Sequence, residues 1–275
     1  MTFNYKDFLA DVGIEKGDTL EVASDLVSIM LYCQSRKIDF DPNLLIDAIV
    51  DYVGAHGTVA IRAFNWDFCK GIPFDIKKTP SKVGALGNVA LKRSDFKRSQ
   101  HPLYSWMVKG NLQDELCNLA NEEPFGKGTP FDTFYKNNGK LLVIGNADRT
   151  GLTQCHDAEK LAEVPYRKEK KFTGEYYDYE NNVYTRKYSM FVRPLNVSVT
   201  YELIECDAFE QMCIEKSLEK RKLYDGVLRC KTFKIKETTD FLVEDLTENA
   251  GRNVVKINGI AGYLHDGWDA KTAQY

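Results

Sequence analysis

His156 and Glu159 stand three residues apart in LTQCHDAEKLAE (152–163), a stretch that reads as a helix. That spacing puts both side chains on one helical face. Imidazole is the side chain that takes and gives protons near neutrality. A helix N-terminus lowers its proton affinity, whereas a carboxylate at i+3 raises it and fixes the ring. The pattern points to a neutral general base; it is equally compatible with a histidine held by local hydrogen bonds and no reaction. Cys155 lies next to His156, but adjacent helical residues diverge by about 100°, which argues against a Cys–His nucleophile.

Three further segments carry chemistry-bearing residues. TPSKVGAL (79–86) offers a hydroxyl at Ser81, a cation at Lys82 and a Cβ-free backbone at Gly84, suitable parts for anchoring phosphate. PFGKGTPF (124–131) has two Gly and two Pro in eight residues and reads as a shaped loop. In SQHPLYSWMVKG (99–110), Pro102 biases His101 toward extended or turn backbone before a strand. GxxxxGK(S/T), a strand-following GxGxxG and GxSxG are absent; VGALGN (83–88) has the wrong spacing. Seven cysteines without a CxxC pair read as reduced thiols of a cytoplasmic protein, and four histidines without ligand spacing predict no metal site.

These residues need a scaffold. The chain has 275 residues, enough for a sizeable core, with 43% hydrophobic and 28% charged residues. Net charge is −3, which gives no global attraction for nucleic acid. The N-terminus lacks the apolar core of a secretory signal, and no apolar run is long enough to span a bilayer. Helices are expected over 4–12, from Leu26 to Cys33, and from Pro42 to Gly54. Buried strands are expected at TLEVAS (19–24), TVAIRAF (58–64), SWMVKG (105–110), KLLVIGNA (140–147) and 195–205. Thr150 or Thr153 is placed to cap the helix that carries His156. Residues 171–193 alternate polar and aromatic types around Glu180-Asn181-Asn182 and predict a protruding β-hairpin. A helix over 207–221, a strand over 231–237 and a helix over 239–249 complete the expectation. The whole reads as α/β: a mixed central sheet flanked by helices, in a single domain spanning 1–275, with 166–200 as a hairpin subregion.

In this order and spacing the segments resemble the aminoglycoside 3-N-acetyltransferase family. The likeness runs from about Asp11 to Arg167: GIEKGDTLEVASDL, GAHGTVAI, FDIKKTPSKVGAL, SQHPLYS, PFGKGTPF, KLLVIGNA, and Thr153, His156 and Glu159 followed by VPYR. The resemblance implies acyl transfer from acetyl-CoA or a longer acyl-CoA, with no tightly bound cofactor, to a sugar amine. It implies His156 as base with Glu159 orienting it. Ser24, Ser81, Lys82 and Gly84 fall where it places CoA, and Thr153, Asp25 and Arg167 where it places the acceptor. The family commonly carries His-Ser-Ser at the end of the first strand, whereas this chain has Ala23-Ser24-Asp25.

The acceptor is the open choice. An aminoglycoside is a polycation and needs an acidic pocket, whereas a nucleotide-linked amino sugar needs cationic contacts. YRKEKK (166–171) is basic, and Tyr176, Tyr177, Tyr179, Tyr184 and Tyr188 follow it. They are either stacking surfaces for a base or the small core of the hairpin. The expected activity is N-acylation of a nucleotide-linked amino sugar, such as a dTDP-3-amino-3,6-dideoxyhexose. The alternatives are aminoglycoside acetylation and a binding homologue without turnover. Small molecules are the expected partners, with neither nucleic acid nor membrane, and a homo-oligomer is left open.

Overall fold

The computed structural model describes residues 5–145, 152–201 and 207–275. Thr150, one of the two cap candidates, and the end of the strand expected over 195–205 lie outside them. A seven-stranded sheet runs through the molecule in the order β10-β11-β6-β1-β2-β5-β4. Its centre is three parallel strands: β1 (Thr19–Ser24), β2 (Thr58–Arg62) and β6 (Lys140–Ile144). β4 (Lys97–Arg98) and β5 (Trp106–Gly110) extend it antiparallel on one side; β10 (Glu219–Tyr224) and β11 (Leu228–Lys234) do so on the other.

Alternation along these strands builds two cores. Leu20, Val22, Val59, Ile61, Leu142 and Ile144 face α1 (Tyr5–Asp11), α2 (Leu26–Ser35), α3 (Pro42–Val53) and α4 (Ala85–Ala90). Ala23, Ala60, Leu141 and Val143 share the opposite core with α5 (Gln113–Asn118), α6 (Pro130–Lys136), α7 (Gln154–Leu161) and α9 (Ile235–Glu248). Helix starts follow local chemistry. Asp25 accepts the Val27 N–H at 3.0 Å and the Ser28 hydroxyl at 2.6 Å. Asp41 accepts the Asn43 N–H at 2.8 Å, with Pro42 at the first helical position.

β3 (Phe74–Asp75), β7 (Lys168–Tyr177) and β8 (Val183–Val192) form a separate three-stranded sheet, and the β7–β8 pair is the expected hairpin. Asp178 closes its turn by accepting the backbone N–H groups of Glu180 and Asn182. Tyr176 and Tyr188 are buried, and the Tyr179 hydroxyl donates to the Arg98 carbonyl at 3.1 Å. Those three rings therefore pack the hairpin onto the body, while Tyr184 stays exposed. β9 (Val199–Tyr201), β12 (Val255–Ile257) and β13 (Ile260–Ala261) form a small third sheet.

The strand expected over 195–205 starts only at Val199, and two further expectations need correction. The helix expected over 207–221 is α8 (Asp207–Glu215) only; Ser217 takes a positive φ of 57° and residues from Glu219 pair with β11. The strand expected over 231–237 ends at Lys234, and α9 starts at Ile235 rather than near 239. Tertiary pairing overrides helix propensity in the first case. No helix among the described residues is long and apolar enough to cross a membrane, and no group of three or more potential metal ligands occurs among them.

Candidate active site

A cleft of about 680 Å³ opens where β1 and β2 end. The carboxyl ends of parallel strands are where open α/β sheets bind ligands. Ser24 and Asp25 follow from β1, and Arg62, Phe64 and Trp66 from β2. Lys82 and Gly84 come from the loop before α4, Tyr104 from the loop before β5, Thr153 and His156 from the start of α7, and Met190 from the hairpin.

His156 is oriented from behind. Its Nδ1 lies 2.9 Å from Glu159 Oε2, and a carboxylate accepts, so Nδ1 carries the proton and donates. Nε2 is then the nitrogen with the lone pair. Glu159 is buried and meets Arg167 Nε at 2.6 Å. The Phe125 ring stands edge-on to the imidazole at 5.8 Å. Burial, and then the Arg167 charge, lower the His156 pKa below its ordinary value, while Glu159 opposes them. The imidazole is thus neutral near pH 7, able to take a proton from a group in the cleft.

α7 is pinned at three points. Gln154 reaches Arg62 Nη2 through its Oε1 at 3.3 Å, and its amide donates to Glu21 Oε2. Glu21 also pairs with Arg62 Nε at 2.6 Å and accepts the Trp106 indole N–H at 3.0 Å. One residue past His156, the buried Asp157 accepts the Gly126 N–H at 2.7 Å. This clamps the 124–131 loop to the helix, and burial raises the Asp157 pKa to about 6. Cys155 is buried with its thiol pKa pushed up, which removes thiolate chemistry near neutral pH. His101 is buried as well. Its Nδ1 accepts the N–H groups of Leu103 and Tyr104, each at 3.3 Å, and burial lowers its pKa to about 3. It is a neutral brace for its loop.

Of the residues singled out in the sequence, Ser24, Asp25, Lys82, Gly84, Thr153 and His156 share the cleft. Glu159 stands behind His156. Ser81 is buried behind the wall, its hydroxyl accepting the Val83 N–H at 3.2 Å. Arg167 is expected at the acceptor but is buried on Glu159, with Nη1 donating to the Phe191 carbonyl at 3.2 Å. Thr153 occupies the N-cap position of α7 without a side-chain capping bond. Lys82 pairs with Asp67 at 2.5 Å. Gly84 is obligatory where it stands: φ is +119°, and a Cβ there would sit 2.8 Å from the Ser24 carbonyl oxygen. Sequence reasoning missed Arg62, Phe64, Trp66, Tyr104 and Met190. Their only local signal is a position just beyond a strand or loop already implicated.

Comparison with known proteins agrees with this architecture. The family described as aminoglycoside 3-N-acetyltransferase matches residues 31–247. The SPbeta prophage-derived aminoglycoside N(3')-acetyltransferase-like protein YokD of Bacillus subtilis is 25% identical over 281 residues, covering 90% of this chain and 93% of that protein. Aminoglycoside N(3)-acetyltransferase III of Acinetobacter baumannii is 26% identical over 177 residues, covering 57% of this chain and 59% of that protein. Among solved structures, AAC-IIIb in binary complex with CoASH aligns with a TM-score of 0.76 at 18% identity, over 90% of this chain and 98% of that one. AAC(3)-Xa aligns with a TM-score of 0.72 at 19% identity, over 89% and 91%. At such identities the structural likeness speaks to the fold.

Proposed function

Because the chain belongs to the aminoglycoside 3-N-acetyltransferase family, and is thereby a CoA-dependent enzyme that acylates an amine, we propose that His156 is its general base and a nucleotide-linked amino sugar its acceptor. An alkyl amine is mostly protonated at neutral pH and must shed a proton to attack a thioester. The free amine attacks the acyl carbonyl carbon, and His156 Nε2 takes the N–H proton as the C–N bond forms. The tetrahedral intermediate then expels the CoA thiolate, which receives that proton. A base placed this way contributes roughly 10²–10⁴-fold. The transfer is direct, since Cys155 is not a thiolate at neutral pH.

The observation that carries the base assignment is the His156–Glu159–Arg167 relay, with the imidazole at the cleft and both supports behind it. The acceptor reading rests on charge. Asp25 is the one carboxylate among the described residues lining the cleft, and it caps α2. An aminoglycoside would bring several ammonium groups against that single partner. Arg62 and Lys82 also line the cleft, and their positive charge disfavours a polycation. Ser24, Lys82 and Gly84 remain the proposed contacts for the CoA arm, and Thr153 and Asp25 for the acceptor.

The test is CoA release, followed with a thiol reagent, from acetyl-CoA and longer acyl-CoA donors against a panel of amines. Turnover with dTDP-linked amino sugars and none with kanamycin-type drugs is the expected result. The reverse preference would make the cleft a drug-modifying site and sink the nucleotide-sugar reading. No release with any acceptor would favour a binding homologue.

A further inference from the structure

Arg62 ends β2 with its guanidinium almost wholly buried, yet it lines the cleft. Its contacts are one-sided. Nε meets Glu21 Oε1 at 2.6 Å and Nη2 meets Gln154 Oε1 at 3.3 Å, so one edge of the planar group is occupied. Among the described residues Nη1 has no hydrogen-bond partner. Glu21 itself is held by Trp106 and Gln154, and Trp106 is the registered partner of Arg62 across the β2–β5 pair. The guanidinium plane is therefore fixed before any ligand arrives. Nη1 keeps its donors available to a ligand in the cleft that Arg62 lines.

We propose that Arg62 is a further catalytic residue, its Nη1 donating to the thioester carbonyl oxygen and to the oxyanion formed there. The inference rests on the acyl-transfer reading above. As the amine attacks, the carbonyl π electrons move to oxygen, and the negative charge develops against a donor that needs no reorganisation. The electrons return when the C–S bond breaks, and Arg62 neither gains nor loses a proton. Glu21 and Gln154 act through it as positioning residues. A lysine would keep the charge but not the fork that fixes the plane.

Two variants test this. Arg62→Lys keeps the charge. Glu21→Gln combined with Arg62→Gln removes both charges and leaves amides able to bond one another, so it carries the test if the single variant does not fold. Folded variants, judged by thermal unfolding, are expected to lose about 10²-fold or more in kcat, the effect of one oxyanion donor, with little change in either KM. A folded double variant with wild-type kcat overturns the assignment. So does a loss confined to the acceptor KM, which would make Arg62 a contact for an anionic group of the acceptor. A second readout needs no turnover: the infrared carbonyl stretch of bound ¹³C-acetyl-CoA should lie below its solution position in the wild type and return toward it in the double variant. An unchanged stretch on a bound donor overturns the Arg62 role alone. A wild-type protein that binds no acetyl-CoA overturns the acyl-transfer reading, and this inference with it.

Discussion

An imidazole with one nitrogen committed to a buried carboxylate has a fixed tautomer and a fixed aim. His156→Ala removes the proposed base and leaves the Glu159–Arg167 pair standing. It should lower kcat by at least about 10²-fold while calorimetric acetyl-CoA affinity stays near wild type; wild-type turnover would take His156 out of the reaction. Arg167 gives a sharper test. Its charge is one of the causes holding the imidazole pKa down, so Arg167→Gln should raise that pKa. The neutral ring is the active form on the proposed mechanism, and the acid limb of the kcat/KM profile should therefore move to higher pH. A limb that does not move would deny Arg167 any influence on the base. The His156–Glu159 pair was readable in the sequence because three residues on one helix suffice to make it. The Arg62 network was not. Its partners Glu21 and Gln154 lie 41 and 92 residues away along the chain, and only the β1–β2 pairing and the placement of α7 bring them together.

At the scale of elements, the loop before α4 touches the end of β1 so closely that Gly84 cannot carry a side chain. Gly84→Ala should push that loop off Ser24 and weaken acetyl-CoA binding by about tenfold or more in calorimetry, with the His156 pH dependence unchanged; unaltered affinity would detach the loop from the donor site. Asp157 ties the other loop to α7. Its folded pKa lies above that of the unfolded chain, so the stability it contributes is fully present below about pH 4 and is lost as pH rises through about 6. Asp157→Asn keeps an acceptor for the Gly126 N–H without a buried charge. Chemical denaturation should show it more stable than wild type near neutral pH by on the order of 1–3 kcal/mol, the gap closing in acid. Equal stabilities at all pH values would mean the carboxyl is better solvated than its burial implies. α2 and α3 were legible because Asp25, Asp41 and Pro42 announce their starts. β10 was not: Glu219-Lys220-Arg221-Lys222 has no alternating apolar face, and only its pairing with β11 makes it a strand.

Across the whole molecule, the α/β class could be read from buried strands alternating with amphipathic helices, because burial on both faces leaves an unbroken apolar run. The hairpin's stand off the main sheet was readable too, but which strands are neighbours was not, nor that β3 joins the hairpin, since both depend on contacts far apart in sequence. That separation has a consequence. His156 and Glu159 hang on α7 and the pinned Arg62 on β2, whereas Met190 reaches the cleft from a ribbon outside the main sheet. The ribbon is fastened by Tyr176, Tyr188 and the Ser189 N–H on the Glu122 carbonyl. On the proposed mechanism, descendants of this chain can thus trade one acceptor for another by rewriting the lip of the vessel while its floor, where bonds would be made and broken, is inherited untouched.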